Sequence, residues 1–158
     1  SYDPVSQALE EYNIDEKDMH GKILFLNYFE DEDEYGKYTT NPLLTMRYVY
    51  YVIAIPQRDK LVLLKNRWDT LSDEVEACDM ESIFYRNILS INVANDEIAI
   101  EKTGGTTSGI VLPSAGESIF EYQDSAPYHS MTYYSTRTSN PHVFVKALET
   151  LIASHSSR

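Results

Sequence analysis

Cysteine is almost absent. The single Cys78 excludes a disulfide within the chain and cannot complete a thiolate metal site. One thiol also fits a reducing compartment. Long apolar runs are missing as well: the longest, Tyr48 to Ile55, is eight residues against the ~20 that cross a bilayer. Residues 1–4, Ser1-Tyr2-Asp3-Pro4, carry neither the basic start nor the apolar stretch of a signal peptide. The expectation is a soluble cytoplasmic protein without membrane association, although a removed leader would leave no trace in this sequence. Basic residues are scarce, 13 against 25 acidic ones, for a net charge of −12. Phosphate backbones require a basic surface, so general nucleic-acid binding is excluded, whereas a basic protein partner is admitted.

Motifs for chemistry are equally sparse. His20, His129, His142 and His155 fit no zinc spacing. There is no Gly-x-Ser-x-Gly elbow, and Cys78 lies among Glu74, Glu76, Asp79 and Glu81, acids that disfavour a thiolate nucleophile. Asp31, Asp33 and Gly36 match the first, third and sixth positions of a calcium loop, but Tyr35 and Pro42 fall where further oxygen ligands belong. Gly104-Gly105-Thr106-Thr107-Ser108-Gly109 lacks the Lys-Ser/Thr pair of a phosphate loop, and no helix follows it. A non-catalytic protein with no cofactor and no metal is therefore expected.

What is present is a chain of 158 residues, 42% hydrophobic, long enough for one domain with its own core. Asp3-Pro4 opens a short helix whose apolar stripe runs through Val5, Ala8, Leu9 and Tyr12. Asn13 to Gly21 reads as a turn and Lys22–Phe29 as a strand, followed by the acidic loop Glu30 to Glu34. Residues 46–67 read as a hairpin about Gln57-Arg58-Asp59, and Asp69 to Glu81 as a half-exposed strand. Ile88 to Lys102 alternates strictly on both sides of Asn95-Asp96, a second hairpin. Gly104-Gly105 makes the next turn, and strands follow at Gly109–Leu112 and Met131–Arg137. Asn140 caps a final amphipathic helix of about thirteen residues, with Pro141 in its first turn and a frayed tail from Ser154 to Arg158.

Antiparallel strands followed by one C-terminal amphipathic helix are the order of a pleckstrin-homology-like (PH-like) barrel. Ser82 to Lys102 (SIFYRNILSINVANDEIAIEK) resembles the central part of bacterial PH-like domains, with Tyr85 before Ile88, then a hairpin and the Gly104-Gly105 turn. Ser135 to Ile152 resembles their last strand and helix. The expected fold is thus α+β and mostly antiparallel: a barrel of about seven strands over 46–153, closed by the helix. Residues 1–40 form an accessory helix, strand and acidic loop in one domain spanning 1–158. The resemblance implies a scaffold that binds peptides, partner proteins, its own copies or lipid headgroups.

Thirteen tyrosines are the most unusual feature of the composition. Tyrosine suits strands and also interfaces, where a rigid ring with a polar tip gives contact area at low entropic cost. Tyr28, Tyr35 and Tyr38 flank the acids Asp31, Glu32, Asp33 and Glu34, and together they are the candidate partner-binding rim. Between residues 47 and 67 the charge is about +4, from Arg47, Arg58, Lys60, Lys65 and Arg67 against Asp59. Arg58, Lys60, Lys65 and Arg67 are candidate anion-binding residues. Three readings follow. The first is an interaction module for a protein partner or for its own copies, with the acidic rim from Tyr28 to Tyr38 and exposed sheet edges as its contact surface. The second is an immunity-type antagonist of a basic toxin, steered by charge. The third is a binder of anionic lipid headgroups.

Overall fold

In the computed structural model, residues 4–29, 48–69, 71–112 and 137–156 are described. The acidic loop, the connection after Leu112 and all but the end of the strand expected at Met131–Arg137 lie outside them. In chain order the elements are α1 (Pro4–Glu11), β1 (Ile23–Phe29), β2 (Tyr48–Pro56), β3 (Lys60–Asp69), β4 (Glu74–Phe84), β5 (Ile88–Val93), β6 (Glu97–Lys102), β7 (Thr107–Val111), β8 (Arg137–Thr138) and α2 (Pro141–Ser156).

The protein is α+β, with mostly antiparallel strands in two sheets. One sheet has the order β4-β3-β2-β1-β8 and the other β5-β6-β7. Among the described residues only β1 and β8 run parallel. Among the described residues no ladder joins the two sheets, so the expected closed barrel is not found there. β1, within the segment expected to be accessory, is an interior strand of the larger sheet, hydrogen-bonded to β2 on one side and β8 on the other.

Burial explains the strand patterns. On one face of the larger sheet, Val5, Ala8 and Leu9 of α1 pack with Phe25, Tyr51, Ile53 and Val62. On the other face, Leu24, Leu26, Val52, Ala54, Leu61 and Ile83 meet Ile98, Ile100 and Ile110 of the second sheet and Phe144, Val145 and Leu148 of α2. Both faces are covered, so β2 is buried continuously from Val49 to Pro56. This is the reason its sequence is an unbroken apolar run instead of an alternation.

The turns follow their chemistry. Gly104 and Gly105 have φ of 90° and 82°, a left-handed conformation in which a Cβ would be strained. Asn140 caps α2 as expected: its Oδ1 accepts from the N–H groups of His142 at 3.0 Å and Val143 at 3.3 Å. The frayed tail expected from Ser154 is corrected, since α2 is helical through Ser156. The Ser154 hydroxyl donates back to the Leu151 carbonyl at 2.8 Å, so its side chain bonds within the helix.

Candidate functional site

Of the expected partner-binding rim, only Tyr28 lies among the described residues; Asp31, Glu32, Asp33, Glu34, Tyr35 and Tyr38 lie outside them. Tyr28 stacks on Tyr50 with ring centroids 5.2 Å apart, and Lys65 sits over both rings, at 5.8 Å from Tyr28 and 4.9 Å from Tyr50. Next along β3, Arg67 lies 4.4 Å from the Tyr48 ring centroid and pairs with Glu76 at 2.6 Å. Those hydrogen bonds, to Glu76 first and Tyr50 second, hold the guanidinium above its ordinary pKa. Tyr28 is therefore packed into a ladder of rings and cations on the sheet.

The candidate anion-binding residues are not brought together. Arg58 is exposed in the β2–β3 turn, and Lys60 starts β3. Lys65 and Arg67 lie at least ~17 Å further along the strand, at about 3.3 Å per residue. Strand alternation also places Lys60 and Lys65 on opposite faces. A residue the sequence reading did not weigh, Arg86, joins Lys60 at the other end: its guanidinium is 4.9 Å from the Phe84 ring centroid and the Lys60 ammonium is 6.0 Å from it.

A second polar group links the two sheets. Glu81 of β4 accepts hydrogen bonds from the Ser108 hydroxyl of β7, at 2.8 Å to Oε2, and from the Lys102 ammonium of β6 at 3.1 Å. Beside it is a cleft of about 370 Å³ bordered by Tyr28, Leu63, Lys65 and Ile110. Two lysines and two acids, Asp79 and Glu81, balance its charge. Among the described residues no three His, Cys, Asp or Glu side chains are placed to hold a metal ion.

The third feature is an open strand edge. β5 ends the smaller sheet, and among the described residues no strand pairs with its outer side. Ala94 and Glu97 close the Asn95-Asp96 turn, the Ala94 N–H donating to the Glu97 carbonyl at 2.9 Å. Hydrogen-bonded pairs recur at every second residue of an antiparallel ladder. Asn92 therefore turns its backbone groups to β6, while Ile91 and Val93 turn theirs to the open edge. The ladder skips Leu89 at a bulge, and its side chain is 62% exposed. Ile88, Leu89 and Ile91 line a groove of about 330 Å³ together with Glu149, Ile152 and Ala153 of α2.

Comparison with protein families, with curated proteins and with solved structures finds no match.

Chemically, the groove offers backbone donors and acceptors unpaired among the described residues, an apolar wall and one carboxylate, Glu149. Those are the means of holding an extended chain by strand addition. Exposed sheet edges were expected as contact surfaces from the sequence, but β5 was not singled out, although one signal pointed to it. β5 (ILSINV) carries no charge, whereas β4, the edge of the other sheet, carries Glu74, Glu76, Asp79 and Glu81. Charges on an edge strand discourage pairing with other chains, and β5 has none.

Proposed function

We propose that the chain is a non-catalytic interaction module of PH-like architecture that takes an extended protein segment along β5. The reading is supported by the uncharged β5 edge, open among the described residues and beside an apolar groove, with the outward N–H and C=O groups of Ile91 and Val93. The PH-like assignment draws on the order of four strands, three strands, the short β8 and a C-terminal helix packed against β5, β1 and β8. The parallel β1–β8 pair departs from that pattern. Main-chain bonds supply affinity in strand addition, and the groove selects the side chain. Here it favours an apolar residue, with a basic one opposite Glu149.

The test is amide hydrogen exchange with and without peptides selected from a displayed random library. A binding peptide protects the amides of Ile91 and Val93, and Leu89→Glu weakens it at least tenfold. Selected peptides that protect other amides and bind Leu89→Glu equally well would defeat the proposal.

A second reading, antagonism of a basic protein, is favoured by the acids along the exposed β4 edge together with the −12 charge. Its complex would weaken steeply with salt. The anionic-headgroup reading has less support, since Lys65 and Arg67 are engaged with Tyr28, Tyr50 and Glu76 and only Arg58 and Lys60 remain for it.

A further inference from the structure

We infer that the natural occupant of the β5 edge is a second copy of this chain, with β5 pairing antiparallel to β5 of a two-fold mate about Ile91. This rests on the reading of β5 as a contact edge and goes beyond it by naming the partner and the register. A two-fold interface is self-complementary: each residue must tolerate the residue that symmetry sets opposite it. Centred on Ile91, the pairing sets Ile91 against Ile91 and Ser90 against Asn92, and brings Leu89, displaced at its bulge, beside Val93. Every pair is apolar on apolar or polar on polar. A hydrogen-bonded pair at the centre also requires that Ile91 present its N–H and C=O outward, as the ladder dictates. Shifting the register by two sets Leu89 against Asn95 in one direction and Ile88 against Asn92 in the other, and either breaks the match.

The other edges fit a second copy poorly. β4 would bring Glu74, Glu76, Asp79 and Glu81 against the same acids of its mate. β7, centred on Gly109, would set Ser108 against Ile110 and Thr107 against Val111. β8 has two residues. On β5 there is no charge to repel, even though two whole chains of net charge −12 repel each other. Pairing joins the two smaller sheets into one continuous sheet. It also gives Leu89 an apolar neighbour beside Ile152.

The experiment is a mass measurement in solution across protein concentration, combined with cross-linking of cysteine variants in a Cys78→Ser background. The expected result is a species of twice 18.1 kDa that gains population with added salt as the like charges are screened. Leu89→Glu raises the dissociation constant at least tenfold. Ile91→Cys forms a disulfide-linked dimer on oxidation, because the paired Cα atoms lie within the distance a disulfide spans. Asn92→Cys, facing Ser90, does not. A dimer that persists in Leu89→Glu and links through Asn92 but not Ile91 overturns the register and the edge. A monomer at every concentration overturns the second copy; selected peptides that still protect Ile91 and Val93 would then leave the interaction-module reading standing, and their absence would end it too.

Discussion

Tyr85 shows how one side chain can hold three elements together. It is 4% exposed; its hydroxyl donates to the Gln57 carbonyl at 2.5 Å, its N–H to the Asp59 carbonyl at 3.0 Å, and its ring lies 5.6 Å from that of His155 in α2. Burial, and next the charge of Asp59, push the phenol above its ordinary value of 10.0. A folded pKa above the unfolded one means that the native state keeps its proton where the unfolded chain loses it. That stability is fully present below pH 10 and is lost as pH rises beyond it. Tyr85→Phe should cost about 1 kcal/mol at pH 7 and flatten the decline above pH 10, read from urea unfolding at each pH. An unchanged alkaline slope would refute the assignment. Asn66 makes the opposite point: it is 2% exposed, and its Oδ1 has no hydrogen-bond partner among the described residues. An orphaned buried acceptor costs about 1–3 kcal/mol, so Asn66→Leu, similar in volume, should stabilise the protein by about 1 kcal/mol. A loss of stability would mean that the amide is satisfied in solution.

Among the elements, α2 joins the most separated parts of the fold, packing against β1, β5, β8 and the turn at Tyr85–Asn87. Asn140→Ala removes its cap and should cost about 1 kcal/mol. Phe144→Ala, at a residue with no exposed surface, should cost about 3–5 kcal/mol by transfer and cavity terms together. Thermal or denaturant unfolding of the two variants checks both, and equal losses would contradict the burial argument. This helix was legible in the sequence because its cap, proline and apolar stripe are local signals. The β5–β6 hairpin was legible for the same reason, through period-two alternation about a turn. β4 was harder. It starts at Glu74 and runs through Phe84, and it accommodates Cys78 as an extra residue between Ala77 and Asp79 in the pairing with β3. A bulge of this kind breaks the alternation that a reading of period two depends on.

For the whole molecule, charge separates the proposals. Two copies of a −12 chain associate more tightly as salt is added, whereas a complex with a basic partner loosens. Sedimentation in 50 mM and 500 mM NaCl should therefore show more dimer at the higher salt. Less dimer there would argue that opposite charges, and not the uncharged β5 edges, hold the copies together.

The two hairpins, the Gly104-Gly105 turn and the capped C-terminal helix were set by the sequence alone. Those properties rest on periodicity and on residues a few positions apart. Tertiary packing alone made β1 an interior strand, covered β2 on both faces, set Arg58 and Lys60 away from Lys65 and Arg67, and left β5, among the described residues, with no strand on its outer side beside α2. Strand neighbours distant in sequence are chosen by the packing of whole faces, and no local pattern carries that information.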